Sequence, residues 1–327
     1  MILCAGVLVT ARDEQQRGQR AEEREVAKLL FYEAIHSSVS SLVVGPTSAS
    51  MSSYFLIFMR GSRSENFSHC SRSSSTRALR SLAAHFSAPG AAAAQVLRGD
   101  AARWEVIPVA EAGPWAPVTP TGWIVRDTLS ARIHPRRACE ALEAALRARG
   151  VPIVREARDQ GTVVWATGWR GLAEIANADG RPAGTGVKGQ AVLLRHRAGE
   201  VAQIFSDGLH IIPHDDGTVA IGSTSERDFD APDTTDDQAD ALIGKAVEAL
   251  PILAGAEIVQ RWAGVRPRSR SRAPMLGGWP GREGHFIANG GFKIGFGMAP
   301  MVAEVMADLI LEDRDRVPES FRVEASL

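Results

Sequence analysis

The chain has 327 residues, 45% apolar and 23% charged, with a formal net charge of −1. That length accommodates two domains and a sizeable core, and the near-neutral balance gives no electrostatic case for a nucleic-acid partner. Cys4, Cys70 and Cys139 have no paired spacing, so neither a disulfide framework nor a cysteine metal site is expected, and a reducing, cytoplasmic compartment fits.

Residues 1–11 are apolar but lack a charged n-region and a cleavage site, so they are not read as a signal peptide. The longest later apolar burst, residues 54–59, is far too short to cross a bilayer. A charged run at 12–28 permits a solvated helix with a short apolar end at 29–32. Residues 36–75 hold 15 serines and are expected to be poorly ordered loop. An Ala/Leu/Arg-rich stretch at 76–98 suggests helix, interrupted by Pro89-Gly90. Strands follow at 104–107 and 123–125, with a proline-delimited helix start at 109–112 between them. Residues 128–133 read as extended. Pro135 begins a helix over 136–149 with Ala138, Leu142, Ala145 and Leu146 as its apolar stripe and Gly150 as C-cap. Two buried strands, 151–154 and 162–165, are expected to run parallel to the last strand of the chain.

Residues 187–265 read as a largely antiparallel sheet. Its strands are 190–195, 201–206, 209–213 and 218–222, with Asp215-Asp216-Gly217 as a hairpin turn. A helix at 236–250 turns Leu242, Ile243, Ala246, Val247 and Leu250 inward, and 260–265 returns as a strand. A last strand at 286–289 leads into a glycine-dense turn. Pro300 then opens a helix to about 312, with Met301, Val302, Val305, Met306, Leu309 and Ile310 at helical spacing.

That last unit carries the chemistry. Free N–H groups and the positive end of a helix dipole face a turn whose missing Cβ atoms let a flat ligand approach the backbone. The pattern suits an anionic or electron-accepting ligand, and an ordinary tight connection is the competing reading. The alternating arginines 266, 268, 270 and 272 are better explained as one functional arginine plus a solvated rim than as a phosphate patch. His214 and His285 have no nearby metal-ligand partners in sequence and receive no role.

The segment Trp262-Ala263-Gly264-Val265-Arg266-Pro267, then Pro274-Met275-Leu276-Gly277, then the turn from Asn289 to Pro300 resemble the C-terminal half of the D-amino-acid oxidase family of FAD-dependent amine oxidoreductases. Val163-Val164-Trp165-Ala166-Thr167-Gly168 resembles its strand ending in Ala-Thr/Ser-Gly, and the likeness covers about residues 100–327. The resemblance implies an α/β fold. A Rossmann-like, glutathione-reductase-type FAD sheet, from residues 135–175 and 275–327, is interleaved with an antiparallel substrate domain at 185–270, joined by elements at 76–134. It implies FAD as cofactor and oxidation of an amino acid or secondary amine to the imine, with that small molecule as the substrate partner and no nucleic-acid partner.

Carried over by position, Arg266 is the carboxylate fork, Lys293 a second cationic contact, and His210 stands where relatives place a carboxylate-holding tyrosine. A strand histidine bonded to backbone is the equal alternative for His210. Cofactor contacts fall on Thr167, Gly168, Gly291, Phe292, Lys293, Ile294, Gly295, Phe296, Gly297 and Met298, with the helix N-terminus expected after Gly297.

The family's opening Gly-x-Gly-x-x-Gly, which seats the cofactor's pyrophosphate, does not occur in residues 1–75. The nucleotide domain's N-terminal part is therefore missing or altered, through divergence or through a changed reading frame upstream of about residue 75. A non-catalytic remnant or binding module that no longer holds FAD is the alternative function.

Overall fold

Period-two alternation through residues 203–222 folds into a meander, each hairpin handing the chain to the neighbouring strand. The computed structural model describes residues 55–58, 104–127, 132–149, 151, 153, 159 and 161–327. In chain order the strands are β1 (Phe55–Phe58), β2 (Trp104–Pro108), β3 (Trp123–Asp127), β4 (Val163–Trp165), β5 (Gly184–Arg195), β6 (Gln203–Ser206), β7 (Leu209–Pro213), β8 (Thr218–Gly222), β9 (Glu257–Ser269), β10 (Met275–Gly278) and β11 (His285–Asn289). The α-helices are α1 (Pro135–Ala148), α2 (Gly168–Glu174), α3 (Asp237–Ala249) and α4 (Gly295–Glu312), and a 3-10 helix (Val109–Trp115) follows β2.

Eight strands form one sheet in the order β2-β3-β1-β6-β7-β8-β5-β9. All its pairings are antiparallel except β1 with β6. Its backbone is the long β5–β9 ribbon, in register from Gly184↔Ser269 to Arg195↔Glu257 with one bulge at Leu193/Leu194. A second sheet has the order β10-β11-β4. Here β4 runs parallel to β11, while β10 is an antiparallel edge.

The large sheet buries one face under α3. Ala239, Leu242, Ala246 and Leu250 pack on Val192, Leu194, Ile204, Ile211, Val219 and Ile221. Asp236 caps that helix, its carboxylate accepting from the Gln238 N–H at 2.9 Å. The small sheet buries Leu276 and Ala288 against Val302, Ala303, Val305 and Met306 of α4. Asp308, fully buried on α4, is held by Arg314 at 2.6 Å and by Arg316, which fold the chain back after the helix. Among the described residues no helix is long and apolar enough to cross a membrane.

Several expectations need correction. The final helix starts at Gly295, not Pro300, and Pro300 is its sixth residue. Proline there forfeits one backbone hydrogen bond, to the Phe296 carbonyl, and the buried Ala299, Val302 and Ala303 around it supply the compensating contacts. Met301, placed on the apolar stripe, is 55% exposed. Strands β5 and β9 extend well beyond 190–195 and 260–265, because pairing with each other overrides the weak strand preference of Gly184, Gly186 and Gly189. Residues 55–58, expected as loop, form β1, while the other readings over 1–103 lie outside the described residues, as does Gly150. Arg132, Ile133, Val151 and Ile153 are not in strands, and the rest of 128–133 and 151–154 also lies outside.

Candidate functional site

Strand β9 buries Val265, Pro267 and Ser269 and turns Arg266 and Arg268 to the other face. The four alternating arginines then part company. Arg270 donates to the carbonyls of Leu327 (2.8 Å) and Pro182, Arg268 lies over the Phe292 ring at 5.9 Å, and Arg272 sits past the strand end in a left-handed conformation. Arg266 lies instead against the neighbouring strand β5.

The Arg266 guanidinium lies flat over Gly189 of β5, in the space a Cβ there would take. It donates to Ser223 Oγ and, at 3.4 Å, to the Thr224 carbonyl. Among the described residues it makes no ion pair, so its charge remains available to an incoming anion. Burial lowers the Arg266 pKa and the nearby Glu226 carboxylate opposes that shift. Gly189→Ala should push the guanidinium aside at little cost to the fold. Overpacking of this kind costs roughly 1–3 kcal/mol. Because the displaced atoms end a flexible side chain, the expected result is an affinity for a small carboxylate about tenfold weaker at nearly unchanged Tm. Unchanged carboxylate binding would show that the guanidinium's position on Gly189 is immaterial.

The glycine turn is tied to this same strand. Phe292 N–H donates to the Pro267 carbonyl at 3.1 Å, and Arg268 bridges Gly291. Gly290 and Phe292 both have positive φ, 75° and 42°, which drives the chain sharply from β11 into α4. Asn289 closes the arrangement from the other side. Its Nδ2 donates to the Gly168 carbonyl at 3.0 Å and its Oδ1 accepts from Gly290 N–H at 2.7 Å. Thr167 and Gly168, at the end of β4 and the start of α2, are thereby held against the turn that carries Gly291 to Met298. Ile294 precedes α4 with no side-chain cap. The first N–H groups, from Gly295 to Gly297, therefore have no intrahelical partner. The helix N-terminus thus falls at Gly295 and not after Gly297, one turn nearer to Arg266 in sequence.

Lys293 is exposed, its Nζ 5.7 Å from the Phe292 ring centre. Burial and the charge of Arg266 lower its pKa. His210 on β7 packs its ring at a tilt against Phe205 (centroids 4.6 Å), and the residue is exposed. Its pKa is lowered by the protein packed around it, then by Lys293 and Arg266. The three groups therefore feel one another, and two permanent cations favour a neutral imidazole.

Behind Arg266 lies a polar network that sequence reasoning missed. Lys188, 5% exposed, pairs with Glu226 at 3.5 Å. Gln190 donates to both Glu226 oxygens (3.2 and 3.3 Å) and to Asp236 (2.9 Å), and Thr224 Oγ1 donates to Glu226. Backbone bonds of 2.9 Å in both directions join Lys188 and Glu226. This network holds the 223–226 segment that in turn grips Arg266. The alternation of polar residues at 188 and 190 on a buried strand was the available signal. His285 accepts from Trp165 Nε1 at 2.9 Å, a strand-to-strand tie between β4 and β11. His214, expected to lack ligand-type neighbours, faces His134 and Asp216.

The uncapped start of α4 and the glycine turn before it are thus tied to β9, the strand that carries Arg266. The chain belongs to the DAO family of FAD-dependent oxidoreductases, whose family model matches residues 63–309. Over 125 residues it is 35% identical to glycine oxidase from Pseudomonas putida, covering 38% of this chain and 34% of that protein. With glycine oxidase from Geobacillus kaustophilus it shares 30% over 131 residues, 38% of this chain and 33% of the relative. The matches thus span about a third of the length of these curated relatives. The fold is also that of the Geobacillus kaustophilus glycine oxidase crystal structure, with a TM-score of 0.62, 17% identity, and coverage of 96% of this chain and 84% of that one. Iminodiacetate oxidase from Chelativorans sp. gives 0.59 at 16% identity, covering 98% and 88%. The α/β architecture of FAD-binding sheet plus antiparallel sheet is that of these enzymes.

Proposed function

We propose that this protein oxidises a small amino acid or secondary amine to the corresponding imine, with FAD as its redox cofactor. The single observation that carries this reading is the joining of Arg266 to the glycine turn through the Phe292–Pro267 and Arg268–Gly291 backbone contacts. These contacts support the reading of Arg266 as a carboxylate-binding fork near an anion-tolerant backbone surface.

FAD fits the described half of this site. Thr167, Gly168 and Gly291 to Met298 would hold its ring end, and the uncapped N-terminus of α4 suits negative charge there. When bound, FAD accepts the hydride equivalent that no amino-acid side chain can accept.

The chain's own residues select and orient the substrate. Arg266 offers two N–H groups in a plane, matched to a carboxylate's two oxygens, and so fixes the direction of the neighbouring Cα–H bond. Lys293 adds a point charge at the rim. His210, neutral beside the two cations, supplies a hydrogen bond without adding charge. The site asks for no general base when the amine arrives deprotonated. Cysteines without paired spacing fit residence in a reducing compartment such as the cytoplasm.

The test is direct. Purified protein supplied with FAD should be yellow, and anaerobic addition of glycine or a small N-methyl amino acid should bleach it. Protein that stays colourless at saturating FAD would overturn the oxidoreductase reading. It would favour a non-catalytic remnant, the reading supported by the lack of Gly-x-Gly-x-x-Gly in residues 1–75.

A further inference from the structure

A second cluster of chemistry-bearing side chains lies apart from the flavin-type site, where the start of α1 meets the β7–β8 hairpin. The ring of His134, the residue preceding α1, stacks on that of His214 with centroids 4.1 Å apart and planes inclined by 30°. His134 Nε2 is 3.4 Å from Asp216 Oδ2. His214 Nδ1 is 3.1 Å from Thr218 Oγ1, whose hydroxyl donates to Asp216 Oδ1 at 2.6 Å.

The Thr218 bonds fix the His214 tautomer. The Thr218 proton is committed to Asp216, so His214 must donate Nδ1–H to Thr218, which leaves a lone pair on Nε2. His134 Nε2 is the ring nitrogen in ion-pair contact with Asp216, and Nδ1 is its other nitrogen. Those two nitrogens, His134 Nδ1 and His214 Nε2, are the buried side-chain polar atoms without a hydrogen-bond partner among the described residues. His214 is only 8% exposed, so its orphaned nitrogen cannot turn to bulk water. A buried polar atom without a partner costs roughly 1–3 kcal/mol, and two in one cluster call for an explanation.

We propose that His134, His214 and Asp216 form a binding site for a divalent transition metal of the zinc type. One ligand atom from each residue lies within 4.8 Å of the others. Tetrahedral zinc with bonds of about 2.0–2.2 Å places its ligands about 3.3–3.6 Å apart, so modest rotation of side chains closes the gap. Two imidazole nitrogens and one carboxylate oxygen suit Zn²⁺, Co²⁺ or Ni²⁺ and not Ca²⁺ or Mg²⁺, which prefer all-oxygen shells. Local charge sharpens that choice. Arg137 pairs with Asp216 and Arg132 with the adjacent Asp215, both at 2.9 Å, which leaves no surplus negative charge for a hard cation. The side chains of His134 and Asp216 are each 21% exposed, so an ion can enter and water can take the fourth position. Such an ion would cross-link the beginning of α1 to the β7–β8 hairpin, two elements 79 residues apart along the arginine–aspartate tie that already joins them.

The experiment uses the full-length chain, dialysed against chelator and then titrated with Co²⁺ and Zn²⁺. One equivalent of Co²⁺ with visible ligand-field absorption, displaced by one equivalent of Zn²⁺, is expected, with a rise in Tm on zinc addition. His134→Gln and Asp216→Asn should each weaken binding at least tenfold, since even groups behind the ligands change affinity by about 10–100-fold. Both positions are partly exposed, so folding should survive. The buried His214→Gln adds a third arm, and if it fails to fold the other two decide. Less than stoichiometric binding, or equal affinity in wild type, His134→Gln and Asp216→Asn, would overturn the proposal and leave a stacked histidine pair. The readout needs no flavin or substrate and stands independently of the proposed oxidation.

Discussion

Arg266→Ala is expected to lower kcat/KM for an amino-acid substrate on the order of a hundredfold or more while leaving the fold largely intact. Removing one partner of a desolvated charge pair costs roughly 3–5 kcal/mol, and each 1.4 kcal/mol is about tenfold. Arg266 has the features this demands. It is half-buried over Gly189, its described hydrogen bonds go to the neutral Ser223 and Thr224, and none of its contacts closes the hydrophobic core. Arg266→Lys should recover only part of the loss, because an ammonium cannot make the forked contact. Turnover of an amino acid and of its decarboxylated amine, in wild type and mutant, separates binding from structure. Equal losses on both substrates would remove Arg266 from the carboxylate site, and a parallel fall in Tm and flavin content would make it structural.

Glu226→Ala should be the most damaging single change for stability. It strips the ion pair from Lys188, whose ammonium is 5% exposed and has no other ion pair among the described residues. It also strips acceptors from Gln190 and Thr224. Breaking a buried pair from one side costs roughly 3–5 kcal/mol. At about 2–4 °C per kcal/mol for a chain somewhat shorter than this one, Tm should fall on the order of 10 °C. Lys188→Met removes the buried charge along with its need for a partner, so the double variant should lose much less than the sum of the single losses. Coupling of contacting residues runs to about 0.5–3 kcal/mol. Strict additivity of the two melting shifts would show that Lys188 and Glu226 do not act as a pair. Carboxylate binding should weaken in Glu226→Ala as well, since the 223–226 segment grips Arg266.

The order of elements was legible locally. Strands β7 and β8 and the helix α3 lie within a residue of where alternation, turn chemistry and helical spacing place them, because those signals act over a few residues. The parallel pairing of β4 with β11 followed from the strand-glycine-helix units that flank it. The true start of α4 did not. Proline's preference for a first turn is a weak local bias, and the packing of Val302 and Ala303 against the small sheet outweighs it. The ribbon of β5 and β9 likewise owes its length to a partner about 75 residues away in the chain, which no window of sequence contains.

By itself the sequence determined the chemistry on offer: a glycine turn with a helix behind it, an arginine in Trp-Ala-Gly-Val-Arg-Pro, and a chain of near-zero net charge. Those are properties of residue type and spacing. Only the tertiary structure decided that the Arg266 guanidinium lies over Gly189, that Asn289 staples Gly168 to the turn, and that Lys188 and Glu226 form a buried pair. It also brought His134 onto His214 across 80 residues. Each of these is a contact between distant segments, and its geometry depends on sheet register and helix docking. Register is a collective property of the folded chain, set by burial of whole faces, so no single motif encodes it.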